Sequence, residues 1–221
     1  RHIARDRTMK AGALTGAVLL GGASRRMGQD KANLELAGLP LWKSQAAKLL
    51  AAGCGEVLLS VRAGQLAGVA LQPKLKRVED ESPDAGPLAG LVACLRRAGR
   101  SLLILPVDMP GLTESLLRKI IAHSERKSQP VVLSAGGRLQ PLVGLYPFAC
   151  LPKLEEALAG GMLSPTQILT TRLEHEVIEL GDDNSAVQNL NTPAEWTRWR
   201  EAVGERNSGP ATESGGDTSH I

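Results

Sequence analysis

The residues best suited to chemistry sit where the apolar run Ala17-Val18-Leu19-Leu20 breaks into Gly21-Gly22-Ala23-Ser24-Arg25-Arg26-Met27-Gly28-Gln29-Asp30-Lys31. Glycines at 21, 22 and 28 let backbone N–H groups come close to phosphate oxygens, while Arg25, Arg26 and Lys31 add positive charge within a few residues. The combination suits a polyanion and reads as a strand that delivers a triphosphate cradle. It matches neither of two familiar glycine signatures: no Lys-Ser/Thr follows a G-x-x-x-x-G spacing, and no G-x-G-x-x-G opens a helix. A P-loop ATPase and a dinucleotide dehydrogenase are therefore disfavoured. The plainer alternative is a surface loop, with glycines for turning and arginines for solvation.

A second chemical feature is Asp108, which ends the apolar run Leu102-Leu103-Ile104-Leu105-Pro106-Val107 just before Met109-Pro110. A hard oxygen donor at the end of a buried strand suits Mg²⁺, which takes one or two protein carboxylates and completes its octahedron with water and substrate phosphate. Taken alone, Asp108 is more simply a turn residue before Pro110; joined to a phosphate loop, it becomes the metal ligand. Further on, Glu79, Asp80, Glu81 and Asp84 precede Gly86-Pro87-Leu88-Ala89-Gly90, an acidic stretch with a Gly-Pro turn that opens a helix. Asn189 and Asn191 alternate, so both can face one side of an extended segment. An N-cap or Asx-turn role for Asn191 or Thr192 explains that region equally well. His123 and His175 have no Ser, Cys or metal-ligand spacing to recruit them, and no catalysis is assigned to them.

These residues need a scaffold. Strand patterns lie near residues 15–20, 56–61, 101–106, 130–134, 141–146 and 174–180, with helical patterns at 41–52, 88–98, 113–123, 147–159 and 193–203. Pro40 and Gly53 bracket the first helix, and Thr192 is the expected N-cap of the last, with Pro193 at its first position. Such alternation predicts a three-layer α/β/α sandwich with a mostly parallel, Rossmann-like sheet, in which ligands bind at the carboxyl ends of the strands. With 221 residues and 43% hydrophobic content, the chain buries a sizeable core as one domain over residues 13–203, with polar tails at 1–12 and 204–221.

Composition narrows the function further. A net charge of +3 and five scattered aromatic residues provide no stacking platform, so nucleic-acid binding is not expected. Three widely spaced cysteines, Cys54, Cys94 and Cys150, read as reduced core residues. No apolar stretch approaches the roughly 20 residues that span a bilayer, and a soluble, cytoplasmic protein without membrane contact is expected.

The first motif resembles the nucleotidyltransferase family that includes molybdenum cofactor guanylyltransferase, whose opening signature is close to L-A-G-G-x-S-x-R-M-G-x-D-K. Leu20 stands where that family usually has alanine, near the nucleotide base, and Val107 replaces the cysteine of its L-x-x-x-x-C-D-M-P segment. The family's E-D … G-P-L-A-G, P-L-x-x-x-Y and N-x-N-T-P-E-E segments are similar to stretches ending at Gly90, Tyr146 and Glu195. The resemblance spans roughly residues 15–202 and implies a fold of the nucleotide-diphospho-sugar transferase type. It assigns Leu20, Gly21, Gly22, Arg26, Lys31, Ser60, Asp80, Gly86, Pro87, Leu88 and Asp108 to the nucleotide, with Arg26, Lys31 and Asp108 catalytic. Asp108 is implied as the Mg²⁺ ligand, and Asn189 and Asn191 as contacts to the acceptor.

The implied reaction is transfer of GMP from GTP to molybdenum-bearing molybdopterin, with release of pyrophosphate and formation of molybdopterin guanine dinucleotide. Transient contact with carrier or chaperone proteins for the cofactor is a further implication. An acceptor that ends in a phosphate is already a nucleophile, so the absence of a placed histidine is coherent with this chemistry. The alternatives are a cytidylyltransferase acting on the same pterin or on a small phosphorylated alcohol, and a nucleotide-binding regulator without turnover.

Overall fold

Alternation along the strands sets the layering. In the computed structural model, residues 14–21, 34–36, 38–80, 85–125, 127–181 and 184–207 are described, residues 203–207 for the backbone only. The chain runs through β1 (Thr15–Leu19), β2 (Glu35–Leu36), β3 (Leu39–Pro40), α1 (Leu41–Ala52), β4 (Glu56–Val61), β5 (Leu75–Glu79) and α2 (Pro87–Ala98). It continues through β6 (Leu102–Pro106), α3 (Glu114–Ser124), β7 (Val131–Ala135), β8 (Arg138–Tyr146), α4 (Leu151–Ala159), α5 (Pro165–Arg172), β9 (Glu176–Glu179) and α6 (Pro193–Asn207). Seven strands form one sheet in the order β5-β4-β1-β6-β8-β7-β9. All run parallel except β8, which is antiparallel to both β6 and β7.

Because successive side chains on a strand point to opposite faces, each central strand feeds two cores. Val18, Leu59, Leu103 and Leu105 pack with α1, α3 and Trp196 of α6, whereas Ala17, Leu58, Leu102 and Ile104 pack with α2, α4 and α5. Leu103, Leu105 and Ile104 are fully buried, and truncating any of them to alanine should cost about 2–5 kcal/mol. The expected three-layer, mostly parallel architecture is therefore the one observed.

Several elements depart from the sequence expectation for identifiable reasons. The edge strand β5 has the burial of a lone Leu75 followed by exposed Lys76 and Arg77, so its charges hide a strand period. Helix α5 is built from Pro-Thr-Gln-Ile-Leu-Thr-Thr-Arg and buries only Ile168 and Leu169; Ser164 caps it and Pro165 starts it, offsetting poor intrinsic propensity. β8 begins at Arg138 rather than near 141, because it pairs with β7 across the Gly136-Gly137 turn. α6 continues to Asn207 instead of ending at Val203, since Gly204 weakens a helix by about 1 kcal/mol without stopping it. The three cysteines are free and buried, as expected. No helix among the described residues is long and apolar enough to cross a membrane.

Candidate active site

The cleft forms where the chain reverses its direction across the sheet. From β1 the chain moves to β4 and β5 on one side, then crosses back through α2 to β6 on the other, which makes the carboxyl ends of β1 and β6 a topological switch point. Leu19 is level with Ser60 of β4 and Pro106 of β6. One bond beyond the ladder, the Leu20 N–H donates to Ser60 O at 3.0 Å and the Val107 N–H to Leu19 O at 3.0 Å. The strands then part around a cleft of about 380 Å³, lined by Leu20 and Gly21, by Pro87 at the start of α2, by Asp108 and by Asn189. Its far wall is Gln140, Pro141 and Leu142 of β8 with Pro165 and Thr166 of α5.

Asp108 is half-buried between buried Val107 and Met109. Its backbone carbonyl accepts the Leu190 N–H at 2.9 Å, and this bond brings neighbouring Asn189 to the cleft. Leu190 itself is buried in the core, which leaves Asn189 and Asn191 exposed on either side of it. Asn191 is not among the residues lining the cleft. Its N–H and that of Thr192 donate to the Glu195 carboxylate at 2.7 and 3.0 Å, and the Glu195 N–H donates back to Thr192 Oγ1 at 3.2 Å. This reciprocal capping box starts α6 with Thr192 as its cap. The backbone bond from Asn191 leads the causes that hold the Glu195 carboxyl below its usual range.

On the other wall, Gly86 precedes α2 with φ 69° and ψ −161°, a combination open essentially to glycine, and Pro87 then starts the helix without needing an N–H partner. Leu88 is fully buried and serves the core beneath the turn. Ser60 is buried under α2 and lies outside the cleft lining. A Cβ on Gly90 would come within 2.6 Å of Ser60 Oγ, so glycine there lets α2 sit closely on β1 and β4. Cys94, hydrogen-bonded with Ser60, has its thiol pushed up to about 12, mainly by burial and then by the charge of Asp80. Asp80 is half-buried, its N–H bonded to Val61 O at 2.9 Å at the end of the sheet, and it too lies outside the cleft lining.

The structure thus gathers Leu20, Gly21, Pro87, Asp108 and Asn189 around one cleft. Gly22, Arg25, Arg26, Gly28 and Lys31 lie outside the described residues. Sequence reasoning did not single out Pro165 and Thr166, because the helix they begin carries no strong amphipathic pattern. The Ser164-Pro165 pair, a cap followed by a first-turn proline, was the available signal. His123 pairs with Glu176 at 3.6 Å, and His175 Nδ1 is 3.1 Å from Leu173 O; neither lines the cleft. Tyr146 is buried with its hydroxyl donating to Pro141 O at 2.6 Å, which ties the β8 wall together.

Among the described residues, no group of three or more His, Cys, Asp or Glu side chains gathers to form a closed metal cage. Asp108 is the acidic residue that lines the cleft there, and Asn189 lines it as well. An all-oxygen, low-count donor set of this kind fits a cation that keeps waters and takes substrate phosphate as ligand. It does not fit a structural Zn²⁺ site, which needs four nitrogen or sulfur donors.

Comparison with known proteins agrees with this geometry. Residues 16–175 match the model of the MobA-like NTP transferase domain. The molybdenum cofactor guanylyltransferase of Xanthomonas euvesicatoria pv. vesicatoria (strain 85-10) is 34% identical over 188 residues, covering 83% of this chain and 93% of that protein. The solved structure of molybdopterin-guanine dinucleotide biosynthesis protein A from Archaeoglobus fulgidus superposes with a TM-score of 0.70 at 22% identity, over 86% of this chain and 99% of that one. Rv0371C from Mycobacterium tuberculosis H37Rv, solved in complex with manganese, gives a TM-score of 0.62 at 16% identity, over 86% of this chain and all of that one (100%). At these identities the two structures speak to the fold.

Proposed function

The chain is a nucleotidyltransferase that belongs to the MobA-like NTP transferase family, and we propose that it transfers GMP from GTP to the phosphate of molybdenum-bearing molybdopterin. The observation that carries this reading is the meeting of Gly21, Asp108 and Asn189 at the switch point of the sheet. Gly21, the first residue of the glycine-rich loop, lines the cleft together with a carboxylate able to hold a divalent cation. The relatives named as guanylyltransferases support GTP as the donor, and the manganese-bound neighbour fits a divalent-cation requirement.

In this reaction an oxygen of the acceptor phosphate forms a bond to the α-phosphorus of GTP, while the bond from that phosphorus to the bridging oxygen of the β-phosphate breaks. Pyrophosphate leaves with the electron pair. The nucleophile is already anionic, so no side chain has to remove a proton, and the protein's work is alignment and charge neutralisation. Asp108 would hold Mg²⁺, with Asn189 beside it. Mg²⁺, when bound, supplies charge neutralisation at the phosphates undergoing substitution. Lys31 neutralises the triphosphate, and Arg26 with the Gly21 and Gly22 amides holds its β- and γ-phosphates. Pro87 and the Gly86 backbone border the nucleotide. Residues 140–142 and Thr166 form the opposite wall, from which the acceptor approaches.

The test is pyrophosphate release from GTP, CTP or ATP, with and without Mg²⁺, on addition of molybdopterin freed from a denatured molybdoenzyme. Metal-dependent release with GTP alone supports the reading. Release with CTP instead moves the chain to cytidylyl transfer, and tight nucleotide binding without release with any of the three sinks the catalytic assignment.

A further inference from the structure

The turn that carries Asp108 is held by a polar pair on a helix behind it. In α1 the buried stripe Leu41, Trp42, Gln45, Ala46 and Leu49 contains one amide among apolar side chains, and Gln45 is 0% exposed. A buried amide is retained at little cost only when its donors and acceptor are all met. Here Gln45 Nε2 donates to Pro106 O at 3.2 Å and to Met109 O at 2.9 Å. Its Oε1 accepts from Lys48 Nζ at 3.0 Å, and the same ammonium donates to Pro110 O at 2.7 Å.

The carbonyls engaged are those of residues 106, 109 and 110, which flank Asp108 on both sides. Pro106 ends β6 two residues beyond its last pair with β8, and Met109 and Pro110 lie past the strand; all three are buried, so bulk water does not supply their carbonyls, and the Met109 carbonyl also accepts the Leu112 N–H at a longer 3.3 Å. The Val107 N–H and the Asp108 carbonyl are taken by Leu19 and Leu190. Both acceptors of the Lys48 ammonium are uncharged oxygens, and burial pulls its pKa down to about 8, so the fold keeps an expensive group in order to make these bonds.

We propose that Gln45 and Lys48 are positioning residues that clamp the backbone around Asp108 and so aim its carboxylate into the cleft. The proposal rests on the reading of Asp108 as the metal-holding residue. Asp108 is the carboxylate lining the cleft among the described residues, and a displacement of about 1 Å at a reacting centre costs about 100-fold in rate. The clamp therefore acts on kcat and on metal affinity, and leaves metal-free nucleotide binding alone.

The experiment compares Gln45→Met, Lys48→Met and Lys48→Arg with wild type and with Ile120→Val, a control that loosens the same core layer from α3 without touching the turn. Binding of Mn²⁺ at fixed GTP is read from the electron paramagnetic resonance of the free ion, and GTP binding without metal is read by calorimetry. Pyrophosphate release gives kcat, KM and the Mg²⁺ concentration for half-activation. Gln45→Met and Lys48→Met should weaken Mn²⁺ binding about 10-fold and lower kcat about 10- to 100-fold, with the GTP KM at saturating metal changed less than about threefold. Lys48→Arg, which keeps the donors, should recover most of the loss, and Ile120→Val should lower the melting temperature alone.

Folded Gln45→Met and Lys48→Met proteins that bind Mn²⁺ and turn over like wild type overturn the proposal, as does a metal-affinity loss of the same size in Ile120→Val. If Gln45→Met fails to fold, the Lys48→Met and Lys48→Arg pair decides alone. The metal-binding arm keeps the clamp separate from the substrate: wild type that binds Mn²⁺ with GTP but releases no pyrophosphate ends the substrate reading, and the clamp still stands or falls on Mn²⁺ affinity. An Asp108→Ala protein that binds Mn²⁺ normally ends both.

Discussion

Two turns border the cleft, and they are held in opposite ways. The turn at Gly86 is made locally: a glycine with φ 69° and a proline at the first helical position shape the chain with little help from elsewhere. The turn at Asp108 is made at long range, by Gln45 and Lys48, which lie more than sixty positions away in sequence. A locally encoded turn tolerates changes in its surroundings and is sensitive to its own residues. A turn encoded from a distance can be loosened by substitutions that never touch the cleft.

The comparison can be broken at several points, and the largest effect belongs to the Asp108 side chain. Asp108→Ala should lower kcat by about 10³-fold or more, in line with loss of a metal-held transition-state charge, while leaving the melting temperature nearly unchanged. A rate within tenfold of wild type would remove Asp108 from the chemistry.

Next in size are the glycines around the local turn. Gly90→Ala places a Cβ 2.6 Å from Ser60 Oγ and 3.1 Å from a Leu19 methyl, so α2 must shift, at about 1–3 kcal/mol. If the contact with Ser60 is the cause, adding Ser60→Ala should return part of that loss in a denaturation series, and additive losses would refute it. Gly86→Ala meets nothing within 4 Å and should cost only its backbone strain, again about 1–3 kcal/mol, with no rescue by any neighbouring truncation.

Lys48 provides a pH test of the long-range turn. Burial lowers its pKa from the ordinary 10.5 to about 8. Below about 8 both folded and unfolded chains carry the proton, and the full cost of burying the ammonium is present. Between about 8 and 10.5 the unfolded chain still binds a proton that the folded chain has released, so this lysine makes the unfolding free energy rise with pH. The buried thiols of Cys54 and Cys94, both pushed up to about 12, work in the opposite direction once free thiols ionise. Subtracting a Lys48→Met series cancels the thiols, and the difference should move in favour of wild type by about 1–3 kcal/mol across the window. A flat difference would mean that the ammonium is better solvated than its burial implies.

The smallest effect lies at the start of α6. Thr192→Ala removes one half of the capping box and should cost about 1 kcal/mol in thermal unfolding. Because Asn189 is brought to the cleft by the Leu190 bond to Asp108 rather than by the cap, the loss should stay in stability, with kcat unchanged.

Much of the scaffold was legible because its signals are local. The apolar runs of β1, β4 and β6 announced central strands, Gly86-Pro87 and Thr192-Pro193 announced helix starts, and Asp108 stood at the end of a buried run, where α/β sheets bind ligands. Less legible was whatever depended on partners distant in the chain. β5 shows strand character only when paired with β4, and α5 is a helix because Ile168 and Leu169 find a core. β8 reverses the sheet because it can pair with both β6 and β7. For the same reason Thr166 was not seen as part of the cleft, and Gln45 was not singled out, since the carbonyls it meets lie more than sixty positions away.

The sequence by itself determined the types of the central strands and of the helices with strong periodicity, the Gly86-Pro87 turn, the Thr192 cap, and the phosphate-suited loop followed by a strand-end carboxylate, since each depends on backbone preference or on side chains a few residues apart. Only the tertiary structure decided which of those residues share a cleft. Bringing Gly21, Asp108 and Asn189 together, and satisfying the carbonyls behind Asp108 from α1, takes packing that closes loops of tens of residues. No local pattern records which buried donor will meet which orphaned acceptor.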